Sequence, residues 1–407
     1  MKVLVVSHLY PSPARASSLF VHDQVVALRE LGVDVSVVSP TAFTPRILAM
    51  SSRLRARAAT PATAAIDEIA VSYPRVVVPP RRILRHRQAE LFYRCLHTLA
   101  LDLRDAGIDV IHAHQAFPDG AATRLLAGDL GLPYVVTVHG ADVNLNLVDD
   151  GRVRRRTLQA LGDAAAVMAV SGALARRLGT VVPASLLHVV PNGVTVHDQA
   201  APSALLPGRR IVLSVGNLYA SKGHATVLTA LARLGADHGD VAWVVVGDGP
   251  ERRRLEAQAR ELGLAGRTTF LGWRPHDEVL SLMARADAFV LPSAPEGFGV
   301  VYAEAMAQGT PVVACLGEGP ADFVVPNESG LLVPPGDAAA VAAAIARLLD
   351  DRAFATRLAQ AGRRAIADLT WQRNAVRQRE IYEAVLAAPP ARRGDAGGGP
   401  ADGVGVA

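Results

Sequence analysis

Hydrophobic positions along the chain fall into two kinds of run that alternate almost without a break. Short, nearly continuous apolar stretches such as KVLVVSHLY (2–10), DVSVVSP (34–40), DVIHAHQ (109–115) and PYVVTVHG (133–140) alternate with stretches of helical period, FVHDQVVALRELG (20–32) and DGAATRLLAGDLG (119–131). Strands that are apolar on both faces belong to a parallel sheet covered by helices on both sides. The helical stretches stop at Gly32, Gly107 and Gly131, where a C-cap is expected. The periodicity then lapses over TVHDQAAPSALLPGR (195–209) and starts again with RIVLSVGN (210–217), VAWVVVGDG (241–249), DAFVLPS (287–293) and PVVAC (311–315), with helical segments between them. The pattern predicts two doubly wound α/β domains, 1–195 and 210–370, joined by a linker at 196–209. A final helix at about 371–388 is expected to pack back on the first domain. Residues 389–407 have no periodicity and are expected to be a disordered tail. Such sheets bind ligands beyond the carboxyl ends of their strands, so two of them face to face create an interdomain cleft.

Composition narrows the class. Half of the 407 residues are hydrophobic and a fifth are charged, which excludes wholesale disorder. The longest apolar runs, such as 338–349, fall short of the roughly 18–20 residues a membrane-spanning helix needs. The start MKVLVVSHLYPSP reads as a first strand rather than a secretory leader, whose apolar region takes about 7–15 residues. Cys95 and Cys315 lie too far apart in sequence to suggest a disulfide framework or a cysteine metal site, and a reducing cytoplasm is expected. Charge is uneven: residues 1–195 carry 21 basic and 15 acidic side chains, the remainder 21 and 23. Ten arginines and three acids fall within 46–94, a segment that suits an anionic acceptor, an anionic membrane surface, or simply a solvated face. It lacks the interleaved aromatics of a single-strand nucleic-acid site. Only Lys2 and Lys222 are lysines, so Lys222 stands out in a chain that otherwise uses arginine.

Three strings carry candidate chemistry. In SAPEGFGVVYAE (293–304) a strand end leads through a glycine turn into a helix, with Glu296 in the turn and Glu304 placed on the same face two turns on. Two carboxylates above a strand end suit vicinal hydroxyls; the alternative is a helix-start acid and a solvated face residue. In SVGNLYASKGH (214–224) a strand feeds a loop, with Ser221 as the expected N-cap and Lys222 in the first helical turn, an arrangement that suits a phosphate. In TVHGADVNLN (137–146) His139 ends a strand beside Gly140 and Asp142 and is either a substrate contact or a satisfied structural histidine. VVGDGPERR lacks the third glycine of a dinucleotide fingerprint, since Arg252 stands there. His112 and His114 share a strand face without a further ligand at metal spacing. No D-x-D, G-x-S-x-G or Walker A string occurs.

Taken together the chain resembles glycosyltransferase family 4, the retaining enzymes of GT-B fold, over roughly 1–388. The resemblance rests on EGFGVVYAE (296–304), TVHGAD (137–142), PNGV (191–194), VGNLYASKG (215–223), VVGDGP (245–250), FLGW (270–273) and GLLVPPGD (330–337). The N-terminal string SHLYPSP…FVHDQV is similar to the branch that makes teichuronic acid and exopolysaccharides.

The resemblance implies catalytic roles for His139, Glu296 and Lys222. Glu304 would hold the ribose, Glu296 with Gly297, Phe298, Gly299 and Val300 the donor sugar, and Asn217, Lys222 and Gly223 the diphosphate. The backbone near Trp273 would meet the base. Ser18, His114 and Asp142 would lie on the acceptor side. No cofactor and no metal are implied. The donor would be a nucleotide sugar, UDP-linked in preference to GDP-linked. The acceptor would be a hydroxyl of a cell-envelope glycan or a natural product, anionic or lipid-linked forms included, and the enzyme would be cytoplasmic or peripheral at the inner membrane face. Asn217 stands where many relatives carry an arginine, and Ser18 lies where they commonly place a glycine. These departures keep open a non-catalytic nucleotide-sugar-binding protein, and a sugar-nucleotide epimerase shares the fold.

Overall fold

The structure, a computed structural model, describes residues 1–13, 19–45, 52–77, 85–149, 151–195 and 199–388. The expected tail at 389–407 lies outside them.

The first apolar series builds a sheet in the order Leu187–Val189, Ala166–Ala169, Tyr134–Val138, Val110–His114, Lys2–Val6, Asp34–Val38, Ile69–Ser72, Thr63–Ile66. All neighbours are parallel except the last pair, a hairpin. The strands Val110–His114 and Tyr134–Val138 are buried at every position, which is why they read as unbroken apolar runs. The second series builds an all-parallel sheet in the order Thr268–Gly272, Val241–Val246, Arg210–Val215, Ala288–Val290, Val312–Cys315, Leu331–Val333. Chain order reverses direction between Arg210–Val215 and Ala288–Val290 here, and between Lys2–Val6 and Val110–His114 in the first sheet. These are the switch points at which loops diverge to opposite faces and leave a crevice. The expected glycine stops hold, with Gly32, Gly107 and Gly131 all at positive φ.

Residues 199–209 lie against the second domain: Gln199 Nε2 donates to the Gln308 carbonyl (3.1 Å), and the Ala200 amide donates to Gln308 Oε1 (2.8 Å). The chain crosses back near Gly193. The Val194 amide bonds the Leu369 carbonyl (2.8 Å), and a Cβ on Gly193 would sit 2.4 Å from the Trp371 amide, so no side chain fits there.

The last helix, Trp371–Ala387, is capped by the Thr370 side chain and packs on the helix Leu19–Glu30 of the first domain. A buried polar chain fastens it. Tyr382 Oη donates to Gln378 Oε1 (3.1 Å) and meets His112 Nδ1 (2.7 Å), while His112 Nε2 meets Thr137 Oγ1 (2.7 Å). With Nδ1 as donor and Nε2 as acceptor, a neutral imidazole satisfies every partner. Burial in turn pushes the His112 pKa down to about 3. This histidine is therefore a structural post.

Tyr382→Phe removes the oxygen that faces His112 Nδ1 and leaves a buried polar atom unpaired. The expected loss is about 1–3 kcal/mol of unfolding free energy, measured by denaturant titration of the full chain.

Candidate functional site

At the second sheet's switch point the chain leaves Arg210–Val215 and passes through a 3₁₀ turn, Ala220–Lys222, before the helix His224–Arg233. Lys222 thus sits just before the helix and not in its first turn, and Gly223 (φ +73°), not Ser221, is the N-cap. The left-handed conformation of Gly223 separates the two helical pieces. A Cβ there would also lie 2.3 Å from the Pro292 carbonyl oxygen. The Ala294 amide donates to the Ser221 carbonyl (2.8 Å), lacing the loop after Ala288–Val290 to the lysine turn. As a result Lys222 Nζ lies 2.6 Å from Glu296 Oε2. Glu296 Oε1 accepts from the Gly297 amide (3.2 Å).

The helix that follows is Val300–Ala307, capped by Gly299 at φ +87°. Glu296 lies in the turn as expected, but the helix begins four residues after it, so Glu304 sits one turn along that helix and not two. The partner of Glu304 is His276 Nε2 (3.0 Å), at the start of the helix His276–Arg285. The carboxylate's hydrogen bond raises the His276 pKa above its ordinary value. Phe298 turns its ring into the core against Phe323, centroids 5.3 Å apart, leaving its backbone on the loop side. Asn217 is exposed, Val300 is half-buried, and Trp273, just beyond the edge strand Thr268–Gly272, is 74% exposed.

On the first domain, His139 ends the strand Tyr134–Val138. Its Nε2 meets His114 Nδ1 (3.0 Å), while its Nδ1 is buried without a hydrogen-bond partner among the described residues. Phe20 leans on the ring, centroids 4.8 Å apart. Burial lowers the pKa of His139 to about 3 and that of His114 well below its ordinary value, so both rings are neutral near pH 7. Asp142, expected on the acceptor side, is turned fully inward. Its oxygens accept the amides of Ala116 (2.5 Å) and His139 (3.0 Å). Desolvation still raises its pKa to about 6. It positions the His139 loop instead of reaching a ligand. His114 is buried against His139, and Ser18 lies outside the described residues.

The two halves meet backbone to backbone. A Cβ on Gly297 would lie 2.3 Å from the His139 carbonyl oxygen, and one on Gly140 (φ +122°) 3.2 Å from Gly297 Cα. A second contact runs through Glu318, which was not singled out from the sequence. Its Oε2 accepts the Glu296 amide (2.8 Å) and its Oε1 accepts Arg177 Nη2 (2.6 Å), while Arg177 Nη1 holds Asn144 Oδ1 (2.8 Å). One buried carboxylate thereby ties the Glu296 loop to the first domain. His276, Glu318 and Arg177 were all missed. Glu318 carried a signal, an acid just beyond the strand end PVVAC; Arg177 is one arginine among many, and His276 had no distinguishing pattern. No cluster of three or more His, Cys, Asp or Glu that could hold a metal ion occurs among the described residues.

Gly297→Ala forces the two loops apart; small-angle scattering is expected to show a larger radius of gyration with both domains still folded. The buried histidines set an acid limit. His112, His114 and His139 bind protons in the unfolded chain below about pH 6.5 but not in the folded one until far lower pH. Their stabilisation is complete above that pH and is lost as pH falls. Asp142 acts in the opposite sense, gaining stability as pH falls through about 6, but it is one group against three. Denaturant titrations at pH 7, 6 and 5 are expected to show falling stability, about 1.4 kcal/mol per pH unit for each excess proton taken up on unfolding. The slope should be shallower in His112→Gln.

Comparison with known proteins agrees with this geometry. Residues 18–198 match the family described as Glycosyltransferase Family 4, and residues 197–365 match Glycosyl transferases group 1. The 2-deoxystreptamine glucosyltransferase of Streptomyces kanamyceticus is 34% identical over 64% of this chain and 73% of its own length. The putative teichuronic acid biosynthesis glycosyltransferase TuaC of Bacillus subtilis (strain 168) is 29% identical over 85% of this chain and 89% of its own. The solved structure of Anabaena HepE in complex with UDP and glucose superimposes with a TM-score of 0.73 at 22% identity, covering 94% of this chain and 100% of that one. No helix among the described residues is long and apolar enough to cross a membrane. With two doubly wound sheets in the GT-B arrangement, the chain belongs to glycosyltransferase family 4 and is a glycosyltransferase.

Proposed function

We propose that the protein transfers a sugar from a UDP-linked donor to a hydroxyl acceptor with retention of anomeric configuration, the donor lying between the Glu296 loop and His139. The observation that carries this reading is the Lys222–Glu296 pair at the second sheet's switch point, opposite the unpartnered Nδ1 of His139 across the Gly140–Gly297 contact. Lys222, with the amino end of the helix His224–Arg233 beside it, suits a diphosphate. As the bond from anomeric carbon to diphosphate oxygen breaks, its electron pair leaves with the phosphate, and the ammonium takes up the growing charge. The acceptor oxygen forms the new bond on the same face, and its proton passes to the departing phosphate oxygen.

Glu304 holds the ribose hydroxyls in this reading, with His276 orienting its carboxylate. Glu296 and the amides of Gly297 and Gly299 hold the sugar, Asn217 and Gly223 border the diphosphate, and the backbone at Trp273 meets the base. Neutral His139 presents Nδ1 to a sugar hydroxyl, which would satisfy that buried atom. HepE's complex with UDP and glucose supports a uridine donor. TuaC's name supports a cell-envelope glycan as acceptor, and that of the Streptomyces enzyme supports an aminocyclitol; the hydroxyl common to both is the acceptor group proposed. We place the enzyme in the cytoplasm. The domain limits proposed are 1–195 with the last helix, and 210–370.

Glu304→Ala and Lys222→Ala are each expected to lower turnover of the best UDP-sugar by roughly 10²–10³-fold while leaving the thermal midpoint in place. Near-normal rates in both would remove the assignment. Anomeric NMR of the product tests retention.

A further inference from the structure

A pocket of about 740 Å³ opens on the helical face of the first domain, away from the residues of the cleft. Its walls come from the helices Gln88–His97, Ala121–Leu130 and Gly151–Gly162. Beneath it Ala89, Phe117, Ala121, Val153 and Ala160 form a small apolar cluster of their own. Three alanines in that floor let the helices approach closely, so the longer side chains above them converge on one space. Those side chains are Arg87, Arg94, Arg124, Arg152, Arg155 and Arg156, and the only acid lining the pocket among the described residues is Glu90.

The charge is not balanced from within. Glu90 pairs with Arg156, and Asp163, outside the lining, pairs with Arg124 (2.5 Å). Arg87, Arg94 and Arg155 have no carboxylate within ion-pair distance among the described residues, and all three are exposed. Burial, and after it the neighbouring Arg87, disfavours the charge on Arg156. Guanidinium forks match phosphate oxygens two at a time and are less strongly hydrated than an ammonium. Among the described residues no Phe, Tyr or Trp lines the pocket, so they offer no platform for a nucleobase. Arg85, one turn ahead of the first wall helix, bonds Asn146 Oδ1 (2.5 Å) and pairs with Asp149, both in the loop that follows His139.

We propose that this pocket is a second anion site, one that binds the phosphate groups of a diphosphate or clustered phosphate ligand independently of the donor cleft. The same chemistry is offered by a soluble phosphate ester and by a lipid headgroup, and the test separates them. The first arm titrates the full-length protein with inorganic pyrophosphate by calorimetry at low salt. It compares wild type, Arg94→Gln/Arg155→Gln and Lys222→Ala. The proposal expects the double variant to bind pyrophosphate about tenfold more weakly, as two lost charge-assisted contacts imply, and Lys222→Ala to keep this binding. The second arm sediments the protein with vesicles of phosphatidylglycerol or of phosphatidylcholine. Binding only to the anionic vesicles, lost in the double variant, assigns the site to lipid phosphate. Equal behaviour of wild type and double variant in both arms overturns the site, as does the absence of binding in both. Both arginines are exposed and free of carboxylate partners, so the fold should be kept. Should the double variant nevertheless unfold, Arg155→Gln alone gives the same readings at smaller amplitude. UDP affinity, measured alongside, should not change in the double variant; its absence in wild type would count against the proposed donor and not against this pocket.

Discussion

The structure depends on one steric constraint: two loops from different domains touch with no side chain between them. The His139 carbonyl and Gly140 on one side and Gly297 on the other approach so closely that a single methyl group would separate them. The proposed donor site is arranged around that contact. His139 lies on one side of it, the Lys222–Glu296 pair lies on the other, and Glu318 locks the Glu296 loop to Arg177. Each loop reaches the contact because it leaves a parallel strand at the end where such sheets shed their ligand-binding loops.

Much of this was legible in the sequence, for a physical reason. Strands buried on both faces must be apolar throughout, and helices that stop at glycine announce where they stop, so the two βα series could be read directly from their pattern. Lys222 stood out because a lysine is rare in this chain, and Glu296 because Gly297 and Gly299 follow it in the turn. The details that were misread lie where glycine conformations intervene. Gly223, two residues past the expected cap Ser221, starts its helix late and leaves Lys222 outside it, and Gly299 starts the next helix so that Glu304 is one turn along it and not two. The resemblance put Asp142 on the acceptor side; its oxygens are instead taken up by two backbone amides. Partnerships across the domain interface, such as Arg177 with Glu318, leave no trace in local pattern because their members are 141 positions apart.

The buried histidines show how one residue type serves different ends a few ångströms apart. His112, on the strand next to the one that His139 terminates, has both nitrogens satisfied by Tyr382 and Thr137 and holds the fold together. His139 is half-buried as a residue and equally neutral, yet its buried Nδ1 has no partner among the described residues. Hydrogen-bond accounting, and not pKa, distinguishes the post from the candidate contact.

The fastening of Trp371–Ala387 also bears on how the molecule is made. The first sheet ends near residue 189, but the hydroxyl that completes the environment of His112 belongs to residue 382. During synthesis the opening half of the protein therefore leaves the ribosome with that imidazole still in need of a partner, and nearly two hundred further residues must be added before one arrives. Completion of the first lobe is deferred until the second has been threaded through, so the chain's last helix acts as a seal on its beginning.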